Sequence, residues 1–215
     1  MMRYDCVLFD LDGTLSDSAE GIKKCIEMTM QELQKPCPDL SDCADFIGPP
    51  LNRTFSLLCG LDDADVDRAL AIYRRWYDVY GTKANRLFDG MTEVLEALKE
   101  SPMKVAVCTS KNERLARDVI DYLHIGGYLD AICGSLDGGK RKQKEELIPY
   151  ALEVLGCARD RAVMVGDTCF DTRGAVACGV DFLGVLYGYG RLETMQAAGA
   201  VRFVDTPKEI LNYLL

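Results

Sequence analysis

The sequence predicts an α/β protein: a Rossmann-like parallel sheet with helices on both faces, and an all-helical cap inserted after the first strand. Three observations carry this expectation. Short apolar runs recur at five places, amphipathic helical patterns alternate with them, and the stretch 16–83 holds helical patterns without a convincing strand. Alternation of strand and helix argues for a parallel sheet covered on both faces.

The expected strands are CVLFD (6–10), KVAVCTS (104–110), LDAICG (129–134), RAVMVGD (161–167) and FLGVLYG (182–188). Each is rich in β-branched or large apolar residues and ends at a polar residue or glycine. MTEVLEALKE (91–100) puts Val94, Leu95 and Leu98 on one helical face, and ERLARDVIDYL (113–123) and KEELIPYALEVLG (144–156) repeat the pattern, with Gly156 as a C-cap. The core is therefore expected from 1–15 and 84–215, and the cap from 16–83. Within the cap, SAEGIKKCIEMTMQELQ carries Ile22, Ile26, Met30 and Leu33 at helical spacing. PCPDL interrupts, DCADFIGPPLNRTFSLLCG brings a helix, a Gly-Pro-Pro turn and another helix, and VDRALAIYRRWYDVYG is a last amphipathic helix.

The chain has 215 residues, enough for one full domain and a smaller insertion. With 48% hydrophobic and 27% charged residues it has the composition of a soluble globular protein. A net charge of −9 without a basic cluster argues against a nucleic-acid polymer as partner. Ten cysteines include no C-x-x-C pair, and Cys6 and Cys108 fall inside apolar runs, which favours reduced thiols in a cytoplasmic protein. The N-terminus runs straight into a strand, which argues against a signal peptide, and no apolar stretch is long enough to span a membrane. A monomer and a weak homodimer both fit.

Ligands bind at the carboxyl ends of strands in open parallel sheets. Those ends here carry Asp10 and Asp12; Thr109, Ser110 and Lys111; and Asp167, Thr168 and Asp171, while Lys144 opens a helix at the same edge. Phosphoryl transfer through a carboxylate nucleophile requires such a set. Mg²⁺ prefers carboxylate and carbonyl oxygens, here the side chains of Asp10 and Asp167 and the backbone carbonyl of Asp12. Asp10 is placed to attack phosphorus, giving an aspartyl-phosphate, and Asp12 to protonate the leaving oxygen and later deprotonate water. Thr109, Lys144 and backbone N–H groups would hold the phosphoryl oxygens. Gly13 frees the chain to turn.

FDLDGTLSDS, VCTSK, Lys144 and VGDTCFD resemble, in order, the four motifs of the haloacid dehalogenase-like superfamily, and the likeness covers essentially the whole chain. IGPPL in the cap and GDT-x-x-D-x-x-GA in the core are similar to the phosphoglycolate phosphatase-like subgroup. The resemblance implies Asp10 as nucleophile, Asp12 as acid/base and Mg²⁺ on Asp10, Asp12 and Asp167, with Asp171 as a supporting carboxylate. The K-P-x-P context that many relatives carry around the third-motif lysine is absent. Lys140, Arg141, Lys142 and Lys144 are the available cations; Lys144 is preferred because it directly precedes the helix, with Lys142 second.

Each residue also has a plainer reading. Thr109 and Ser110 are frequent helix caps, and Asp171 could equally cap a helix starting near Thr172. The single histidine, His124, sits at a helix end and reads as structural. The aromatics of YRRWYDVY read as cap core. Arg53, after Gly48, Pro49 and Pro50, either reaches an anionic substrate across the cap interface or is solvated. The expectation is a Mg²⁺-dependent phosphatase acting on a small phosphorylated metabolite, phosphoglycolate first, with a nucleoside monophosphate, sugar phosphate or pyrophosphate as competitors. A mutase of the β-phosphoglucomutase type is disfavoured by Thr14 and by the lack of a following histidine. A non-catalytic binding protein is disfavoured because every required carboxylate is present.

Overall fold

The computed structural model describes residues 3–136 and 141–215, so Lys140 lies outside the described residues. Its strands are β1 (Cys6–Phe9), β2 (Ser16–Asp17), β3 (Arg86–Leu87), β4 (Lys104–Asn112), β5 (Ala131–Ser135), β6 (Ala162–Gly166), β7 (Asp181–Val185) and β8 (Phe203–Val204). Six of them form one parallel sheet in the order β5-β4-β1-β6-β7-β8. All five expected strands are present. The last is shorter than expected: it stops at Val185, and residues 186–190 form a loop over the sheet edge.

Residue alternation along the strands explains the two layers of the core. Val7, Phe9, Val105, Val107, Val163 and Val165 face one side, where α4 (Met91–Glu100), α5 (Glu113–Tyr122) and α9 (Pro207–Leu214) pack. Cys6, Leu8, Ala106, Cys108 and Met164 face the other, against α6 (Lys144–Leu155), α7 (Cys169–Cys178) and α8 (Leu192–Ala197). Cys6, Cys108 and Cys133 are buried free thiols, consistent with their apolar context. Pro149 lies inside α6 and has no N–H for the Glu145 carbonyl. The Cys178 thiol donates to that carbonyl at 3.6 Å instead.

Between β2 and β3 the chain is helical: α1 (Ala19–Glu32), a short 3₁₀ turn, α2 (Leu51–Arg53) and α3 (Asp63–Trp76). The helix expected in DCADF is only the turn Cys43–Asp45, and both α2 and α3 continue as wider π-helical turns, Thr54–Leu58 and Tyr77–Gly81. Tyr73 and Tyr77 stack with ring centroids 5.7 Å apart, buried in this segment as the helical spacing suggests. The outgoing and returning chains pair as an antiparallel ribbon, Ser16 opposite Leu87 and Asp17 opposite Arg86. Among the described residues, no helix is long and apolar enough to cross a membrane.

Candidate active site

β1 is the central strand, flanked by β4 and β6, so its carboxyl end opens onto the crevice where the strand order reverses. Asp10 follows β1 directly, and its N–H continues the ladder to the Val165 carbonyl at 2.9 Å. Gly13 makes the next turn with φ +83° and lies so close to Asp167 that a Cβ would overlap that carboxylate. A left-handed backbone and this approach both require glycine.

Asp10, Asp167 and Asp171 are all buried, and their carboxylates offer oxygens within 4.8 Å of one another. Lys144, at the first position of α6, faces them: its Nζ lies 3.0 Å from Asp10 Oδ1 and 2.6 Å from Asp171 Oδ1, and donates to the Cys108 carbonyl at 2.6 Å. Burial would lower the pKa of this ammonium; Asp10 and Asp171 reverse that and raise it above the ordinary lysine value. Asp167 accepts from the Tyr189 N–H at 2.9 Å, the Gly190 N–H at 3.3 Å and Thr14 Oγ1 at 3.2 Å. Burial nevertheless pushes its pKa up to about 8, with Asp171 and Asp10 adding to the rise. Burial likewise raises Asp10, against the pull of Lys144.

Three buried carboxyl groups face one ammonium, so their full ionisation leaves an excess of negative charge. Asp10 Oδ1 and Asp171 Oδ1 are buried with no aligned hydrogen bond, although the lysine is near in distance. These hard oxygen donors fit a small divalent cation such as Mg²⁺.

Asp12 stands apart from this cluster. Its carboxylate pairs with Lys111 Nζ at 2.9 and 3.1 Å, and the third side chain of the carboxylate trio is Asp171. Asp171 also closes a capping box with Thr168, the hydroxyl of which donates to Asp171 Oδ2 at 2.6 Å. One oxygen of Asp171 thus serves the capping box of the helix that begins at Cys169, while the other faces Lys144. Thr109 and Ser110 are not caps: Asn112 caps α5, accepting from the Arg114 N–H at 3.1 Å.

A cavity of about 670 Å³ lies between this edge and the helical segment. Asp10, Asp12, Thr109, Ser110, Lys111 and Lys142 line its floor. Gly48, Pro49 and Pro50 line its roof, where Gly48 at φ +100° approaches the Thr168 methyl so closely that a Cβ would sit 2.7 Å away. Ile22, Phe46, Ile47, Val66, Leu70 and Tyr73 supply an apolar wall. Of the two readings of Arg53, the structure matches the solvated one: it is exposed and does not line the cavity, whereas Arg74 does. Lys142 reaches the cavity while Lys144 sits beneath it against Asp10, so the two lysines take different places rather than competing for one. His124 follows the end of α5 with φ +57° and does not line the cavity.

The haloacid dehalogenase-like hydrolase model matches residues 7–185, most of the chain. The chain belongs to that family. A Pseudomonas aeruginosa 5'-nucleotidase is 39% identical over 196 residues, covering 91% of this chain and 89% of the relative. A Mycobacterium tuberculosis protein called tyrosine-protein kinase PtkA is 36% identical, over 87% of this chain and 64% of the relative. A Thiobacillus denitrificans phosphoglycolate phosphatase is 32% identical, over 86% and 84%. A crystal structure of a predicted phosphatase from Clostridium acetobutylicum superposes with a TM-score of 0.90 at 36% identity, covering 97% of this chain and 99% of that one.

Two parts of this haloacid dehalogenase-like site carry no role in the sequence reading. Lys111 is named there with Thr109 and Ser110 at the strand end, without a task. The LYGYG loop, absorbed into a strand by its apolar start, carries a Gly-Tyr-Gly signal of close backbone approach. Through it Tyr189 binds Asp167 with its N–H and Asp17 Oδ1 with its hydroxyl at 2.6 Å, and Tyr187 donates to the Thr14 carbonyl at 2.9 Å.

Proposed function

We propose that this protein is a Mg²⁺-dependent phosphatase that hydrolyses a small phosphomonoester through an aspartyl-phosphate on Asp10. Residues 16–83 act as a cap domain over a core of 1–15 and 84–215, in a cytoplasmic protein. The observation that carries the reading is the division of labour between two neighbouring aspartates. Asp10 borders both the cavity and the buried Asp167–Asp171–Lys144 cluster, while Asp12 borders the cavity with its carboxylate elsewhere.

Asp10, Asp167 and Asp171 would hold the cation, with the main-chain carbonyl of Asp12 as a further oxygen. When bound, Mg²⁺ supplies charge neutralisation for a phosphate dianion entering an acidic site. Asp10 attacks phosphorus with a carboxylate oxygen, and the ester oxygen leaves with a proton from Asp12. Asp12 then takes a proton from the water that opens the acyl phosphate, returning orthophosphate and free Asp10. Thr109 and Ser110, at the floor of the cavity, bind phosphoryl oxygens, and Lys144 holds Asp10 in its attacking direction. The helical segment excludes bulk water from the cavity.

On substrate, the apolar wall and the size of the cavity favour a nucleoside monophosphate over phosphoglycolate, whose two-carbon acid has no apolar face to bury. The relative named 5'-nucleotidase supports the same order. The test is hydrolysis of 4-nitrophenyl phosphate by wild type and Asp10→Asn, with Mg²⁺ and with excess chelator, followed by kcat/KM over nucleoside monophosphates, sugar phosphates, phosphoglycolate and pyrophosphate. Full turnover by Asp10→Asn, or in chelator, would overturn the mechanism; phosphoglycolate leading the panel would overturn the substrate order.

A further inference from the structure

Lys111 is assigned no task by the reaction just described, yet it is almost wholly enclosed at the cavity floor, with its side chain 8% exposed. Its Nζ reaches both Asp12 oxygens and lies 4.1 Å from the centre of the Tyr77 ring. Tyr77 is itself fixed. Its hydroxyl accepts from Asn85 Nδ2 at 3.1 Å, and Asn85 Oδ1 accepts from Ser16 Oγ at 2.9 Å. Ser16 returns to the turn that carries Asp12: its N–H donates to the Leu11 carbonyl, and its carbonyl accepts from the Gly13 N–H, both at 2.9 Å. The polar circuit Asp12–Lys111–Tyr77–Asn85–Ser16 therefore closes on the same turn, so the ammonium cannot drift without disturbing a buried ring.

Asp12 needs such a hold. It is two residues from Asp10, beside a cation site that would attract any free carboxylate. A carboxylate drawn into that site would face the cation rather than the leaving oxygen. We propose that Lys111 is the positioning residue of this reaction: it keeps the Asp12 carboxyl directed at the leaving group and out of the Asp10–Asp167–Asp171 cluster. The inference rests on the phosphatase reading above.

Leaving-group dependence tests it. An alkyl phosphate needs a proton on its departing oxygen, whereas 2,4-dinitrophenyl phosphate releases a stable phenolate without one. Lys111→Met should lower kcat/KM on the alkyl phosphate by about tenfold or more, a part of the roughly 10²–10⁴ that a placed proton donor contributes. The same variant should change the dinitrophenyl ester by less than about threefold, and Lys111→Arg should recover most of the alkyl activity. In an Asp12→Asn background, Lys111→Met should add almost nothing, because the two act as one unit. Equal losses on both esters, an effect confined to KM, or full additivity with Asp12→Asn would overturn the inference. If Lys111→Met does not fold, Lys111→Gln takes its place: unequal losses on the two esters support the inference, and equal ones overturn it. Should Asp10→Asn keep wild-type turnover, the phosphatase reading fails first; a dead Asp10→Asn with equal losses in Lys111→Met rejects the role of Lys111 alone.

Discussion

The ammonium of Lys144 lies 3.0 Å from Oδ1 of Asp10, and both groups are buried. A lysine there does two things: it offsets charge that burial would otherwise expel, and it fixes the direction of the carboxylate. Removing one partner of such a pair leaves the other as an uncompensated buried charge.

Lys144→Met should therefore lower stability by about 3–5 kcal/mol as well as abolish hydrolysis. Urea unfolding measures the first and 4-nitrophenyl phosphate turnover the second. A variant that is inactive but of wild-type stability would show that the lysine serves catalysis only.

Asp167 makes the metal-free protein sensitive to pH. Its carboxyl is raised from 3.8 to about 8 by burial and by Asp171 and Asp10. Across that interval the folded state keeps a proton that the unfolded chain has lost, so its contribution to stability is present at low pH and fades as pH rises through about 8. In chelator, the melting temperature should be higher at pH 5.5 than at pH 8.5. Saturating Mg²⁺ favours the ionised carboxylate, so the stabilisation it brings should grow with pH. Calorimetry at both pH values, with and without Mg²⁺, checks the sign.

Gly13→Ala should weaken cation binding by at least about tenfold, because forcing a side chain into this left-handed position costs on the order of 1–3 kcal/mol and displaces Asp167. Calorimetric titration with Mg²⁺ or Mn²⁺ reads this without any turnover. Unchanged affinity would mean that Asp167 does not hold the ion.

Arg53 and Leu70 separate exposed from cavity-lining positions of the helical segment. Arg53→Ala should leave kcat/KM within about twofold, as expected for a surface change. Leu70→Asn should raise KM for a nucleoside monophosphate by about tenfold, the scale on which an apolar pocket discriminates. Steady-state kinetics on one nucleotide decides both.

The sheet and the residues at its carboxyl edge are legible in the sequence because parallel strands buried on both faces must be nearly continuous apolar runs, which marks where each strand ends. Asp10, Asp12, Asp167 and Lys144 were found this way. Less legible was anything set by contacts between distant segments. Neither the pull of Lys111 on Asp12 nor the fold of LYGYG over Asp167 has a local signature. β8 is two residues long and β2–β3 is a two-by-two pairing, too short for periodicity to register. The two readings of Arg53 stay open in the sequence because only tertiary packing decides that Arg53 on α2 is exposed and that Arg74 on α3 lines the cavity.

The β2–β3 ribbon has a mechanical consequence. The two crossings between sheet and helical segment are paired side by side, and Asp17 is clamped by Arg86 at 2.7 Å and Tyr189 at 2.6 Å. The two chain connections to the segment thus run as one paired ribbon rather than as two independent strands, and the ion pairs of Arg191 with Asp42 and of Arg114 with Asp78 join the two parts elsewhere. Because the ribbon's ends leave the sheet as neighbours, an engineered tight turn from Asp17 to Arg86 would bypass the whole insertion without reordering a single strand.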